Sequence, residues 1–163
     1  MNTFTTYNTA KMKKFSLILA LVFTVALNVT AQIENPVKWS YTAKKVSDKT
    51  YDLYITATLD PKWHIYAQVA GEGPEPTSFN FAKNPILKFD GIVKEEGKLI
   101  KEYDPNFKST LMYYGNTVTF IQKVKAKSAA ATVVSGSVTY MVCNDKKCLP
   151  PKNVPFTIKI AGK

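Results

Sequence analysis

The two cysteines of this 163-residue chain, Cys143 and Cys148, are the residues whose type and spacing best suit chemistry. In Val138–Val142, the side chains of Val138, Tyr140 and Val142 alternate with those of Thr139 and Met141, which indicates a half-buried strand that ends where Cys143 begins. The pair Asn144-Asp145 favours a turn, and Pro150-Pro151 cannot donate hydrogen bonds to a neighbouring strand. We therefore expect Cys143 and Cys148 to face each other across a short hairpin connection.

A disulfide between these cysteines would add little stability. Four residues separate them, and the chain-entropy model gives the closure of so short a loop about 2 kcal/mol. A domain of this size also buries enough apolar surface to fold without a disulfide. An exposed disulfide in a tight loop exchanges readily with other thiols, because strain and exposure raise its reduction potential. The spacing therefore favours a redox-active pair, and an inert disulfide that pins the loop is the alternative.

The charged residues between the cysteines act on the pair in opposite directions. Lys146 and Lys147 would stabilise a cysteine thiolate, whereas Asp145 would destabilise it. The sequence leaves the net effect open.

Metal binding is another use for the same sulfur atoms. Two cysteines and the single histidine, His64, fall short of the four ligands of a structural zinc site, although Cys143, Cys148 and His64 could hold a soft copper ion. We expect neither a metal nor another cofactor.

The N-terminal segment has the pattern of a secretory signal peptide. Three lysines precede the apolar run Phe15–Val29, and the small residues Val29 and Ala31 suit cleavage after Ala31. The run is short for a spanning helix, so an uncleaved membrane anchor is the less favoured alternative. We predict a signal peptide over residues 1–31, a mature domain over residues 32–163 in the periplasm, and no stable membrane insertion after cleavage.

The charge of the mature part argues against nucleic acid as a partner. All 22 basic residues are lysines, and 3 of them precede residue 32, so 19 lysines stand against 12 acidic residues, a net charge of +7. Proteins that read nucleic acids use arginine forks and clustered basic stripes. This sequence has no arginine, and the mature part has no run of more than two lysines.

Short alternating segments predict an all-β fold. Tyr51–Leu59 shows the clearest period of two, and no mature stretch of twelve residues has a convincing helical period. About eight or nine strands of this length suit an immunoglobulin-like antiparallel β-sandwich. Asp104–Thr110 is expected to be irregular and Leu111–Gly115 to form a compact apolar and aromatic patch. The expected strands are Val37–Val46, Tyr51–Leu59, Trp63–Tyr66, Thr77–Phe81, Ile86–Phe89, one or two within Gly91–Tyr103, Val118–Ala126 and the last hairpin, Thr132–Ile160.

An exported all-β domain with the motif Tyr-x-Val-Cys-x4-Cys-Leu-Pro-Pro in its last hairpin resembles the N-terminal periplasmic domain of the thiol:disulfide interchange protein DsbD. The resemblance covers roughly Val37–Ile160, and its most specific part is Tyr140–Pro151. It implies an immunoglobulin-like sandwich that passes reducing equivalents to periplasmic thioredoxin-fold proteins. It also implies that Cys143 and Cys148 are the exchanging pair and that Cys148 forms the mixed disulfide with the partner.

The same resemblance assigns roles to aromatic residues. Leu111–Gly115 looks like the loop that caps the disulfide in this family, which places Tyr113 and Tyr114 over the site, although the two acidic residues of the family loop are absent here. His64 and Tyr66 look similar to a pair of tyrosines near the family's site, with His64 replacing one of them. Without the family, Tyr113 and Tyr114 are core or edge aromatics, His64 is a half-exposed strand residue, and Tyr66 is a packing residue.

Full-length members of the family continue into a membrane electron carrier and a thioredoxin-like domain, whereas this sequence stops at Lys163. The resemblance therefore implies that a separate membrane thiol reductase supplies the electrons. The chain would then act as one component of a protein-disulfide reductase. The rival hypothesis is a secreted immunoglobulin-like binding module with a purely structural disulfide.

Overall fold

Alternating apolar and polar residues form nine strands in residues 34–161, the part of the chain that this computed structural model describes. No helix occurs in these residues. The strands are β1 (Val37–Ser47), β2 (Thr50–Leu59), β3 (His64–Tyr66), β4 (Ser78–Phe81), β5 (Leu87–Asp104), β6 (Ser109–Ala126), β7 (Thr132–Tyr140), β8 (Val142–Cys143) and β9 (Lys152–Ile160).

The strands form two antiparallel sheets, one of six strands and one of three. In the larger sheet, β5 pairs with one edge of β6. The other edge of β6 pairs with β2 along residues 117–125 and with β3 along residues 113–115. The strand β1 lies beyond β2, and β8 lies beyond β3. The smaller sheet has the order β4-β7-β9. The length of β6 thus lets one strand support two separate regions of the sheet.

The main hydrophobic core lies between the two sheets. Strand β2 contributes Leu53 and Ile55, and the cross-strand partner of Ile55 on β6, Phe120, is also fully buried. The smaller sheet contributes Val138 and Ile158. The predicted period of two therefore directs one face of each strand into a shared core, and the immunoglobulin-like antiparallel sandwich is confirmed.

Two sequence predictions within this fold are wrong. The irregular segment is shorter than Asp104–Thr110, since only residues 105–108 form a turn. The strand expected from Val118 begins at Ser109 and includes Leu111–Gly115, because β5 and β6 form one long hairpin. The pairing of β5 with β6 shifts register at two places, between Asp90 and Lys94 and between Gly97 and Leu99. Such bulges interrupt the alternation of side chains, so one long strand has the sequence pattern of several short ones.

The last hairpin is confirmed, with β7 and β9 paired over their whole lengths. No helix of residues 34–161 is long and apolar enough to cross a bilayer. The signal peptide predicted for residues 1–31 lies outside the described residues.

Candidate functional site

Cys143 belongs to the larger sheet, although both cysteines lie in the segment that connects β7 to β9 of the smaller sheet. After β7 ends at Tyr140, the chain crosses over, and β8 pairs with β3. Residues 144–151 then return the chain to β9. This crossing places Cys143 directly opposite His64 in the antiparallel pairing.

The strand β3 separates the site from the main core. Ile65 is fully buried in the core, with Tyr114 of β6 opposite it. Because side chains alternate along a strand, His64 and Tyr66 lie on the outer face of the sheet. Their cross-strand partners there are Cys143 for His64 and Tyr113 for Tyr66. A second, smaller cluster of buried residues forms on this face and contains Tyr66, Ala70, Leu111 and Cys143.

Cys143 and Cys148 form a disulfide whose two sulfur-bearing residues differ in exposure. Cys143 is only 2% exposed, whereas Cys148 is exposed. The side-chain carbonyl oxygen of Asn144 accepts hydrogen bonds from the backbone N–H groups of Lys146 and Lys147, both at 2.9 Å. These bonds hold a tight turn, so the expectation that the cysteines face each other across a short connection is confirmed.

Tyr66 is the side chain in hydrogen-bond contact with the buried cysteine. Its hydroxyl donates to Sγ of Cys143 at 3.2 Å, and the ring is 2% exposed. Burial raises the pKa of Tyr66, with a smaller contribution from Asp104, so the hydroxyl keeps its proton at neutral pH. A donor is therefore fixed beside the sulfur that is sheltered from solvent.

The loop after β3 fixes the position of Tyr66. The hydroxyl of buried Thr77 donates to the carbonyl oxygen of Tyr66. Within the loop, Gly71 has a φ of 97°, and a Cβ at this position would lie 2.4 Å from the carbonyl oxygen of Thr110. A residue with a side chain would therefore push the loop away from β6.

Tyr113 and Tyr114 project to opposite faces of the sheet. Tyr113 borders the site, where its ring centroid is 4.3 Å from that of His64 and its hydroxyl donates to Glu102. Tyr114 is 3% exposed in the main core, and its hydroxyl donates to Glu95 at 3.1 Å. Burial, followed by the adjacent glutamate, raises the pKa of each tyrosine to about 12. The structure thus brings Tyr113, but not Tyr114, to the cysteines.

A cavity of about 470 Å³ opens beside the disulfide. Both cysteines, His64, Tyr66 and Tyr113 line it, together with three carboxylates. Two of these carboxylates, Glu102 and Asp104, come from β5, and the third, Asp145, comes from the turn between the cysteines. The neighbouring strand β5 thus brings acidic side chains to the cavity, although the Leu111–Gly115 segment itself contains none.

Glu102 and Asp104 were missed by the sequence analysis, because it treated β5 and β6 as separate pieces. The local signal that could have found them is the turn at Asp104-Pro105-Asn106, in which Oδ1 of Asp104 accepts a hydrogen bond from the backbone N–H of Asn106 at 2.7 Å. Read as the tip of a hairpin, this turn sets Glu102 opposite Leu111, two residues from Tyr113.

His64 is partly buried at the site. Burial lowers the pKa of His64 below its ordinary value of 6.5, and the negative charges of Asp145, Glu102 and Asp104 oppose that effect. Its imidazole is therefore uncharged at neutral pH while the disulfide is intact. Within residues 34–161, no three His, Cys, Asp or Glu residues are grouped so as to hold a metal ion.

The fold and the site together define a class of protein: an immunoglobulin-like sandwich with a disulfide between a buried and an exposed cysteine on the outer face of its larger sheet. The family described as thiol:disulfide interchange protein DsbD, N-terminal, matches residues 30–159. The chain belongs to this family. No curated protein matches the sequence significantly.

Solved structures of related domains have the same fold. The N-terminal periplasmic domain of ScsB from Proteus mirabilis aligns with a TM-score of 0.56 and 16% identity over 81% of this chain and 49% of that one, so the chain spans about half its length. The reduced DsbD N-terminal domain of Neisseria meningitidis aligns with a TM-score of 0.52 and 16% identity, over 83% of this chain and 92% of that one.

Proposed function

We propose that this domain carries reducing equivalents in the periplasm by thiol–disulfide exchange at Cys143 and Cys148. The observation that carries the proposal is the unequal exposure of the two sulfurs: Cys148 is exposed, and Cys143 is buried against the hydroxyl of Tyr66. Membership of the DsbD N-terminal family supports the same chemistry. A purely structural disulfide would have no need of a hydrogen-bond donor beside one sulfur and solvent beside the other.

When the domain is reduced, the thiolate of a donor dithiol attacks Sγ of Cys148. The Cys143–Cys148 bond breaks, a mixed disulfide forms at Cys148, and Cys143 leaves with the electron pair as a thiolate. The hydroxyl of Tyr66 stabilises this thiolate by donating a hydrogen bond to it. The second thiol of the donor then attacks the mixed disulfide, which leaves the domain with two cysteine thiols and the donor with a disulfide.

When the reduced domain passes its electrons to an acceptor, the same steps run in reverse order. Cys148 attacks the disulfide of an acceptor, and Cys143 then attacks Cys148 to release the acceptor as a dithiol.

We propose that a separate membrane thiol reductase is the donor and that thioredoxin-fold proteins are the acceptors. The proposal also includes export, with residues 1–31 as the signal peptide.

Tyr113 is the proposed shield of the disulfide, with Tyr66 and His64 as supporting residues. Tyr113 lines the cavity beside both cysteines and is held by the carboxylate of Glu102. Tyr114 is buried in the main core, where it packs within the sandwich, so the proposed shield consists of Tyr113 and not Tyr114.

The proposal can be tested by trapping. In a Cys143→Ala variant, Cys148 has no internal partner, and we expect thioredoxin-fold proteins to become attached to it through a disulfide that mass spectrometry identifies. The matched control is Cys148→Ala, whose remaining cysteine is buried, and we expect it to trap nothing. Circular dichroism should show both variants folded.

The reduction potential distinguishes the rival hypothesis. An inert structural disulfide has a potential below about −300 mV, whereas an exchanging pair lies above it. A value below this limit, together with an untrapped Cys143→Ala variant, would favour the binding module with a structural disulfide.

A further inference from the structure

His64 and the buried sulfur of Cys143 line the same cavity on the outer face of the larger sheet. It is the cross-strand partner of Cys143, and such partners on one sheet face have Cβ atoms about 5 Å apart. Its ring also packs edge-on against Tyr66, with centroids 5.4 Å apart, and Tyr66 is itself hydrogen-bonded to Sγ of Cys143. An imidazole and a sulfur therefore share one cavity.

The groups that surround His64 are mixed in charge. The neutral groups are the hydroxyls of Tyr66 on β3 and Tyr113 on β6, and the disulfide of Cys143 on β8. The acidic groups are Glu102 and Asp104 on β5 and Asp145 on the turn, and the basic groups on that turn are Lys146 and Lys147. Glu102 accepts the hydrogen bond of Tyr113, so that carboxylate is already engaged.

We propose that His64 is the general base that takes the proton of Cys143 when this thiol resolves the mixed disulfide at Cys148. The inference rests on the proposed exchange function and adds a proton acceptor to it. The proton moves from Cys143 to the imidazole, and the Cys143 thiolate attacks Sγ of Cys148. The Cys143–Cys148 bond forms, the bond from Cys148 to the acceptor sulfur breaks, and that sulfur leaves as a thiolate. The imidazolium then returns its proton to solvent or to the released thiolate.

The environment suits His64 to this task. A base has to be uncharged before the transfer, and burial keeps the pKa of His64 below 6.5. After the transfer the imidazolium is stabilised by the new thiolate and by Asp145, Glu102 and Asp104, whose charges favour its protonated form. The hydroxyl of Tyr66 stabilises the thiolate itself. Tyr66 therefore acts on the group that loses the proton, and His64 is the group that accepts it.

The test separates the two steps of exchange with oxidised glutathione as the acceptor. The reduced chain is mixed with the probe, the reaction is quenched in acid, and mass spectrometry distinguishes dithiol, glutathionylated and disulfide forms. Attack by Cys148 forms the glutathionylated species, and attack by Cys143 removes it. In His64→Gln we expect the removal step at pH 7 to slow by about 10²-fold, so the glutathionylated form accumulates. The control Lys62→Gln alters an exposed residue near His64 and should leave both steps unchanged.

The pH profile separates a base from a structural support. His64 is the only histidine in the sequence. In the wild-type protein the removal rate should rise with pH and level off by neutral pH, once the imidazole is uncharged. In His64→Gln it should keep rising to about pH 8.5, where a cysteine ionises unaided, so the deficit narrows at high pH. A merely structural role would lower the rate by the same factor at every pH.

Each contrary result has its own meaning. Equal removal rates in wild type and His64→Gln, or a wild-type rate that keeps rising to pH 8.5, would overturn the role of His64 and leave the exchange function intact. The wild-type profile decides this even if His64→Gln does not fold. If Cys143→Ala forms no glutathionylated species at all, the exchange function itself fails.

Discussion

The two faces of the six-stranded sheet are packed for different purposes. The inner face contributes fully buried aliphatic and aromatic residues such as Leu53, Ile55 and Phe120 to the main core. The outer face near β3 and β8 has only a small cluster around Tyr66 and Cys143, bordered by a cavity and by carboxylates. The same strands therefore serve both faces, and the alternation of side chains decides which residue supports the fold and which is available to a partner.

This contrast matters because burial has opposite consequences on the two faces. On the inner face, burial removes apolar surface from water and stabilises the fold. On the outer face, burial lowers the pKa of His64 and raises the pKa of Tyr66, so it favours the uncharged form of both side chains. The small outer cluster is large enough to exclude water from one sulfur while the other sulfur remains exposed.

The largest expected effect is a complete loss of exchange from an outer-face substitution that barely changes stability. Cys148→Ala removes the exposed sulfur, so neither a thiolate nor a disulfide can react with the domain. Because the closed loop is short, the free energy of unfolding should fall by about 2 kcal/mol or less. Reaction with oxidised glutathione and urea unfolding measure the two quantities. An unfolded Cys148→Ala variant would contradict the separation of the two faces.

The converse substitution is on the inner face. Phe120→Ala empties space in the main core and should lower the free energy of unfolding by about 3–5 kcal/mol. The exchange rate of the fraction that remains folded should be unchanged. The matched control is Ile121→Ala, whose half-buried side chain is on the outer face of β6, and it should cost clearly less stability. A slower exchange in folded Phe120→Ala protein would show that the faces are coupled.

Removal of one hydroxyl from each face sharpens the comparison. Tyr66→Phe deletes the donor to Cys143, and a hydrogen bond to a developing thiolate contributes about 2 kcal/mol, or roughly 30-fold in the rate of reduction by dithiothreitol. Tyr51→Phe deletes a comparable bond to the carbonyl oxygen of Ala161, far from the cysteines. We expect it to lower stability by about 1 kcal/mol and to leave the rate unchanged. Equal rates in the two variants would remove Tyr66 from the mechanism.

The smallest expected effect concerns pH. Tyr113 and Tyr114 each have a pKa raised to about 12, above the value near 10 of an unfolded chain. Their protonated hydroxyls therefore contribute stability that is complete below pH 10 and is lost as pH rises toward 12. Tyr113→Phe and Tyr114→Phe should each make the alkaline loss of stability less steep, as measured by urea unfolding from pH 8 to pH 12. Only Tyr113→Phe should also alter the exchange rate, since only Tyr113 lines the cavity.

The two long strands mark the limit of local sequence patterns. The strand β2 was predicted within one residue, since Tyr51–Leu59 alternates without a break. The hairpin of β5 and β6 was not predicted, since its bulges break the alternation and its pairing joins residues such as Glu102 and Leu111 through a turn. Strand pairing depends on contacts that a local period does not contain.

The sequence by itself determined the all-β class, the pairing of Cys143 with Cys148, and the resemblance to the DsbD N-terminal family. Side-chain alternation and motif spacing are local properties of the chain. Only the tertiary structure decided that Cys143 is buried and Cys148 exposed, that Tyr114 belongs to the core, and that His64 meets Cys143. Those results depend on which strands pair and in which register. A shift of one residue in that pairing would turn His64 away from the sulfur and Ile65 towards it.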